Sequence, residues 1–250
     1  RRIEKGAVII ERPDITINLE GAGENITVSL DEDPLAPKAH LLVSELMVLT
    51  NAALAAWAKE HGITLLHRTQ DVAIPKEFSG IWQTPLEIAR VVKALAPAVL
   101  ETNPRPHAGL GEAMYAPSTS PLRRYPDMIN ETQIISLLRD GKPRWSKEEL
   151  DTLLPLLNAH LDAAGQVQRF RPRYWKLLYF KQQGDRWWPA VITDENDAFV
   201  TVNMPKEQMI VRARRQFFGE RTHPGQELEI RLGKVHPLQN DFQLLETREI

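Results

Sequence analysis

The hydrophobic pattern of this 250-residue chain changes its period near Tyr174, and that change limits the folds open to it. In three segments between residues 37 and 164 apolar residues recur every three or four positions, which predicts amphipathic helices. After Tyr174 they alternate with polar residues in five short runs, which predicts strands. The predicted strands are Trp175–Phe180, Trp187–Thr193, Ala198–Met204, Gln208–Arg212 and Glu227–Leu232. Five short strands are typical of a small barrel, most often an OB-type barrel, which we assign to residues 169–250.

The part of the chain before the barrel combines strands and helices. Residues 6–31 contain three short strand-like runs, one of them with alternate residues apolar, which predict antiparallel strands. An amphipathic helix over residues 37–62 is predicted to lie in the core. Capping boxes at Thr84–Glu87 and Ser146–Glu149 start two further helices. The fold class is therefore α+β, and residues 1–168, including a linker helix, form the first predicted domain.

The chain contains no cysteine. This composition excludes disulfide frameworks, thiolate zinc sites, iron–sulfur clusters and cysteine nucleophiles, and it is typical of a reducing compartment. No uninterrupted apolar run approaches the ~18 residues that a membrane-spanning helix needs, and no signal-peptide pattern opens the chain. We therefore expect a cytoplasmic protein without a membrane partner.

Positive charge is concentrated in the C-terminal third, although the formal net charge of the whole chain is −2. Residues 164–221 carry eleven Lys and Arg against six Asp and Glu, which leaves +5 there and −7 elsewhere. The first basic cluster is Arg169, Arg171, Arg173 and Lys176, and the second is Arg212, Arg214, Arg215 and Arg221. Aromatic residues interrupt the first cluster, a pattern that favours a polyanion with stackable bases. A solvated basic face over the edge of a core is the alternative.

The most specific stretch of the sequence is His107–Asn130. Within it, Thr119-Ser-Pro-Leu-Arg-Arg124 places two hydroxyls before a proline and two arginines at the predicted start of a helix. Hydroxyls, free backbone N–H groups and arginines at a helix start form a phosphate cradle. The alternative is that Thr119 or Ser120 only caps the helix, while Asp127 pairs with an arginine one turn away.

The same stretch resembles a motif of the RNB-family exoribonucleases, the RNase II and RNase R type, which reads roughly P-H-x-G-L-x-x-x-x-Y-x-x-x-T-S-P-I-R-R-Y-x-D-x-x-N. Leu42–Asn51 is similar to the family's E-x-M-x-x-x-N helix, and Leu66-His-Arg68 also matches. The resemblance implies the C-terminal half of an RNB catalytic domain followed by an OB-type RNA-binding barrel. The implied activity is magnesium-dependent 3′-to-5′ hydrolysis of single-stranded RNA to nucleoside 5′-monophosphates.

The resemblance also implies roles for single residues. Arg123 takes the position of the catalytic arginine that neutralises charge at the scissile phosphate. The alternative for Arg123 is a helix-surface ion pair with Asp127. The other residues assigned to RNA binding are Thr119, Ser120 and Arg124 beside the phosphates, Glu45, Arg68 and Tyr115 along the channel, and Arg171, Arg173 and Arg214 in the barrel region.

Three of these assignments compete with structural roles. Glu45 matches an acidic position near a ribose, where a carboxylate accepts the 2′-hydroxyl, and a surface glutamate is the alternative. Tyr115 either stacks and lines the channel or lies buried in the core. Arg68 is assigned to the RNA backbone. His107 is interpreted as a structural histidine, because no second His or carboxylate lies at metal-ligand spacing.

The family's metal-binding D-F-D-D cluster precedes the segment with which this chain begins, and Asp31-Glu-Asp33 is interpreted as a solvated turn. We therefore expect the magnesium ligands, and the partner N-terminal half, in an upstream part of a longer protein. Without that half, the strands and the helix around Leu42–Trp57 are expected to leave unpaired edges and an exposed apolar patch. A non-catalytic RNA-binding relative that lacks the metal site is the alternative function.

Overall fold

The computed structural model of the protein describes residues 2–33, 37–72, 74–219 and 221–250. The chain forms two compact units, each built from three separate segments. Unit 1 consists of Arg1–Ile10, Ala36–Trp82 and Lys93–Asp162, and unit 2 consists of Glu11–Leu35, Gln83–Val92 and Ala163–Ile250. The domain boundary between residues 168 and 169 stays a prediction.

The described chain contains four α-helices and eleven strands. In chain order they are β1 (Val8–Ile10), β2 (Ile15–Glu20), β3 (Thr27–Glu32), α1 (Pro37–Glu60), β4 (His67–Thr69), β5 (Gly80–Trp82), α2 (Pro85–Ala94), β6 (Val99–Glu101), α3 (Tyr125–Asp140), α4 (Lys147–Gln183), β7 (Trp187–Glu195), β8 (Phe199–Met204), β9 (Met209–Arg214), β10 (Glu227–His236) and β11 (Asp241–Glu249). Both predicted capping boxes are confirmed. Thr84 and Glu87 exchange side-chain and backbone hydrogen bonds of 3.1 and 3.3 Å before α2. Ser146 and Glu149 exchange bonds of 2.7 and 3.2 Å before α4.

Small two-stranded sheets account for the strands before the barrel. In unit 2, β2 and β3 form the predicted antiparallel hairpin, and the side chain of Gln182 from α4 bonds the backbone at both Ile26 and Val28. In unit 1, β4 and β6 are antiparallel, whereas β1 pairs with β5 in parallel. The antiparallel prediction is therefore wrong for β1, because its partner strand comes from a distant part of the sequence and not from its neighbour.

Helix α1 is a core helix only in part: Val48, Ala55 and Ala58 are buried, the last two in one cluster with Leu65. Between residues 41 and 49, five apolar side chains are at least half exposed, as expected for the predicted apolar patch: Leu41, Leu42, Val43, Leu46 and Leu49. We call these five residues the α1 patch. Over Lys38–Glu60 the helix is long and apolar enough to cross a membrane, a property that core helices of soluble proteins share.

Unit 2 contains a curled, five-stranded antiparallel sheet with the order β11-β10-β7-β8-β9, an OB-like half-barrel. Its core holds Trp188, Ile192, Val202, Val211 and Ile230, all at most 1% exposed. The barrel is confirmed, but one of its five predicted strands is wrong and one real strand was not predicted. The predicted strand Trp175–Phe180 is the end of α4, and β11 supplies the fifth strand. A helix is favoured over a strand here because it buries Leu177 and Phe180, three residues apart, on one face against the sheet.

Candidate functional site

The loop from Tyr115 to Arg124 carries most of the predicted site residues of unit 1. It starts in the buried interior and becomes exposed before α3. Helix α3 begins at Tyr125, two residues later than predicted, so both arginines belong to the loop. Arg124 is the N-cap residue and makes no side-chain cap bond. The alternative in which Thr119 or Ser120 caps the helix is therefore wrong.

Asn51 of α1 fixes the first part of this loop. Its side chain is fully buried and donates from Nδ2 to the hydroxyls of Tyr115, at 2.8 Å, and Thr119, at 3.3 Å. Its Oδ1 accepts the N–H of Ser118 at 2.9 Å. One side chain thus satisfies three polar groups of the loop. The Nδ2 group can only donate hydrogen bonds and Oδ1 can only accept them. The amide therefore also fixes the direction in which the loop runs past it.

Asn130 of α3 holds the same loop from the other side and is also fully buried. Its Nδ2 donates to the carbonyl oxygens of Pro117, at 2.8 Å, and Leu66, at 2.9 Å. Its Oδ1 accepts the N–H of Leu66 at 2.7 Å. The loop is therefore tied to the residue that leads into β4.

Asp127 organises the exposed end of the loop. Its side chain is 1% exposed, and its Oδ1 accepts the N–H of Ser120 at 2.9 Å and an N–H of the Arg124 guanidinium at 2.7 Å. The ion pair at Asp127 is therefore made by Arg124, and the predicted alternative pair with Arg123 is wrong. One N–H of the Arg124 guanidinium is taken up by Asp127, and the side chain is 33% exposed. A contact of Arg124 with RNA, which stays a prediction, would use its remaining N–H groups.

Arg123 is the exposed cation of the loop. Its backbone N–H donates to the carbonyl oxygen of Ser120 at 3.2 Å, which closes a turn. Within the described residues its guanidinium has neither an ion pair nor a hydrogen bond. A guanidinium that is solvated and unpaired is free to bind two oxygens of a phosphate.

Arg68 and Tyr115 lie next to each other where this loop begins. Arg68 is exposed on β4, and its backbone N–H donates to the carbonyl oxygen of Tyr115 at 2.9 Å. The Tyr115 ring is 9% exposed and packs edge-on against His107, with ring centroids 5.8 Å apart. This burial favours the core role over a stacking role. Burial and the nearby Arg68 cation lower the pKa of His107 to about 4, as a neutral structural histidine requires.

Glu45 lies outside this hydrogen-bond network. Its carboxylate pairs with the guanidinium of Arg2, which also donates to the carbonyl oxygen of Leu110 at 3.0 Å. The carboxylate side chain remains 41% exposed. Its predicted contact with a ribose stays a prediction, and a 2′-hydroxyl would have to share this carboxylate with Arg2.

The described residues do not offer a metal site. No group of three His, Asp or Glu side chains in this part of the chain comes together in a way that holds a metal ion. Asp127, the carboxylate nearest to Arg123 in the sequence, is occupied by Ser120 and Arg124. The acidic residues present therefore do not fit a magnesium centre.

In unit 2, the outer face of the half-barrel presents two arginines of the second basic cluster, whereas Arg215 pairs with Glu195 at 2.9 Å. Strand β9 alternates buried and exposed residues, so Arg212 and Arg214 both point outward. The Arg212 guanidinium lies over the ring of Phe199, 4.5 Å from its centroid. These residues belong to an open groove of about 490 Å³ that is also lined by Phe217, Leu244 and Leu245. We call this the barrel groove; it joins cations to flat rings, as nucleic-acid surfaces do.

The first basic cluster lies on α4 and not before a strand. Arg171 is exposed and, in the described part of the chain, has no side-chain partner. Arg173 is half-buried, with its guanidinium 5.5 Å from the centroid of Phe242 and 3.5 Å from the sulfur of Met209. Burial lowers the pKa of Arg173. Its predicted contact with RNA therefore competes with packing against the barrel.

Two buried polar residues had no predicted role, although they stand within the motifs given above. These residues are Asn51 and Asn130, both 0% exposed. A signal for them is a short polar side chain three, four or seven residues from apolar side chains of the same helix: Val48 and Ala55 for Asn51, and Ile134 and Leu137 for Asn130. A buried polar group in such a row needs partners.

Comparison with known proteins identifies the family. A model of the RNB domain matches residues 1–140, and the chain therefore belongs to the RNB family. It is 25% identical over 251 residues to an uncharacterised ribonuclease of Synechocystis sp., covering 98% of this chain and 37% of the relative. It is 26% identical over 248 residues to the chloroplastic/mitochondrial ribonuclease II of Arabidopsis thaliana, covering 94% and 30%. The chain thus spans about a third of the length of these relatives.

Solved structures share the fold. The Dss1 exoribonuclease of Candida glabrata, an active-site mutant, has a TM-score of 0.80 at 22% identity, covering 97% of this chain and 33% of that one. RNase R of Mycoplasma genitalium, in complex with ribose-methylated single-stranded RNA, has a TM-score of 0.74 at 16% identity, covering 98% and 47%. Yeast Ssd1, described as a pseudonuclease, has a TM-score of 0.56 at 14% identity, covering 77% and 29%.

Proposed function

We propose that this chain provides the C-terminal half of the catalytic domain, together with the RNA-binding barrel, of an exoribonuclease. The enzyme would degrade single-stranded RNA in the 3′-to-5′ direction to nucleoside 5′-monophosphates, with magnesium, in the cytoplasm. The observation that carries the proposal is the unpaired guanidinium of Arg123 on a loop that buried side chains hold in place. The ribonuclease relatives support the reaction class, and the RNase R complexes, one with single-stranded and one with double-stranded RNA, support RNA as the ligand.

The chemistry explains why an arginine is suited to this position. Attack on a phosphodiester increases the negative charge on the phosphoryl oxygens, and a fixed cation that faces them stabilises the transition state more than the ground state. Arg124 is neutralised by Asp127, so Arg123 is the arginine of the pair that is available for this role. Magnesium would be held by carboxylates in a preceding segment of the same protein, and we assign no step to a metal at the described residues.

The test uses the full-length protein and a 5′-labelled single-stranded RNA. We expect the RNA to shorten one nucleotide at a time from its 3′ end, with nucleoside 5′-monophosphates released from the earliest time point. Internal fragments without monophosphates would rule out an exonuclease. Binding of the RNA without any hydrolysis would instead support the alternative function.

That alternative is a non-catalytic RNA-binding relative. One observation supports it: the fold resembles that of yeast Ssd1, which is described as a pseudonuclease. Both functions keep the barrel groove and the loop from Tyr115 to Arg124, so both predict RNA binding. Only the hydrolysis assay separates them.

The barrel groove gives a prediction that holds for both functions. In the full-length protein, reversing the charge of both Arg212 and Arg214 to Glu is expected to weaken RNA binding across sequences. It should also flatten the slope of log affinity against log salt by roughly 0.7 for each phosphate that is no longer neutralised. The measurement is a fluorescence-anisotropy titration at several salt concentrations. Lys181→Glu combined with Lys142→Glu, an equal charge change at two exposed sites, is the control. An unchanged slope in the Arg212 and Arg214 double variant would show that these arginines form a solvated face.

The α1 patch supports the expected partner, an upstream half of the same protein. A stripe of five exposed apolar side chains is more than scattered surface exposure, and RNB relatives are about three times longer than this chain. In the full-length protein, Leu42→Gln combined with Leu46→Gln is therefore expected to lower the free energy of unfolding by about 2–3 kcal/mol. Urea denaturation measures this change. Leu138→Gln on α3, a site 70% exposed, is the control, and a neutral double variant would show that the patch faces solvent.

A further inference from the structure

A single buried carboxylate holds both ends of the turn that carries Arg123. Carboxylates are almost never fully buried without a partner, and Asp127 is 1% exposed. Its Oδ1 binds Ser120 in front of the turn and Arg124 behind it. The other oxygen, Oδ2, has no hydrogen-bond partner among the described residues.

The backbone of the turn depends on these contacts. The N–H groups of Arg123 and Arg124 both donate to the carbonyl oxygen of Ser120, at 3.2 and 3.0 Å. The N–H of Asp127 donates to the carbonyl oxygen of Arg124 at 3.1 Å, which joins the turn to the start of α3. Asp127 therefore fixes the direction in which the chain leaves Ser120 and enters the helix, and this direction determines where the Arg123 side chain points.

We propose that Asp127 is the positioning residue for Arg123: it holds the turn rigid and neutralises Arg124, so that one guanidinium is presented to the scissile phosphate. This inference rests on the proposed function. It separates the two adjacent arginines by role, because Arg124 acts inside the protein while Arg123 acts on the substrate. Asp127 itself does not touch RNA.

The experiment measures single-turnover hydrolysis and RNA affinity in the full-length protein, alone and combined with Arg123→Ala. Asp127→Asn keeps the size of the side chain but removes the charge that holds Arg124. We expect it to lower the hydrolysis rate by about 10- to 100-fold, since small misplacements of a catalytic group cost this much. RNA affinity is expected to change less than about threefold. In the Arg123→Ala background the same substitution should have almost no effect on the rate, because a positioning residue acts only through the group it positions.

A merely structural role would give a different pattern. Hydrogen exchange provides a second readout: Asp127→Asn should speed exchange of the Ser120 and Arg124 N–H groups, while the rest of α3 stays protected. Asp140→Asn, an exposed carboxylate at the other end of α3, is the control and should change neither rate nor exchange. If Asp127→Asn does not fold, Arg124→Gln breaks the same pair from the other side and should give the same non-additive loss.

The inference is overturned if the rate of the folded variant equals that of the wild type, or if its loss persists unchanged in the Arg123→Ala background. Failure of the proposed function looks different, because the wild-type protein itself would then release no nucleotides. In that case the exchange measurement still decides whether Asp127 holds the turn.

Discussion

Arg123→Ala is expected to lower the single-turnover rate of RNA hydrolysis by about 100-fold or more, while RNA affinity falls much less. The guanidinium is exposed and unpaired within the described residues, so its removal costs little folding energy. Its charge matters most when the phosphoryl oxygens gain charge in the transition state, whereas affinity is shared among many phosphate contacts. The measurement pairs decay of a short single-stranded RNA in magnesium with a binding titration in its absence.

Two further variants make this result specific. Arg123→Lys should restore only part of the rate, because an ammonium group cannot make the paired contacts of the guanidinium fork. Arg139→Ala removes another exposed arginine from unit 1 and should leave the rate unchanged. Equal losses of rate and affinity in Arg123→Ala would show that the residue is a binding contact. Unchanged rate and affinity would show that it does not meet the RNA.

The sequence predicts the position of Arg123 but not the reason for its freedom. A motif shows which residue types recur, and it identified both arginines and Asp127. It does not show which arginine the carboxylate binds, because that depends on where α3 begins. The structure starts the helix at Tyr125, so Arg124 turns inward at the N-cap and pairs with Asp127. The contacts of Asn51 and Asn130 were missed for a related reason, since each reaches backbone groups more than sixty residues away.

The barrel shows where periodicity alone fails. Val200 and Val202 alternate with partly exposed residues, and Val211 and Ala213 alternate with exposed ones, so their strands were predicted correctly. The run Trp175–Phe180 is apolar at both helical and strand spacing, and packing decides between the two. As the end of α4 it buries Leu177 and Phe180 together. The real fifth strand, β11, was missed because only one of its residues, Leu244, is fully buried, which leaves no alternation to detect.

Asn130→Asp is expected to lower the free energy of unfolding by about 4 kcal/mol or more, the largest stability effect we predict. The side chain is fully buried, and its Nδ2 faces the carbonyl oxygens of Leu66 and Pro117. A carboxylate of the same size places an oxygen against these two oxygens and leaves a buried charge with no cation beside it among the described residues, although the N–H of Leu66 still donates to it. Urea denaturation at pH 7 measures the change. Asn103→Asp at an exposed site is the matched control and should cost less than about 0.5 kcal/mol.

The destabilisation should also depend on pH in a fixed direction. Burial raises the pKa of the introduced carboxyl group in the folded state above its unfolded value of about 3.9. The unfolded state therefore loses its proton first as pH rises, and the variant becomes progressively less stable from about pH 4 upward. At pH 4 the protonated carboxyl group donates one hydrogen bond and recovers part of the stability relative to wild type. A difference between variant and wild type that stays constant from pH 4 to 7 would mean that the carboxylate has turned toward water, and that the loop from Tyr115 to Arg124 does not need the amide of Asn130 to hold its place.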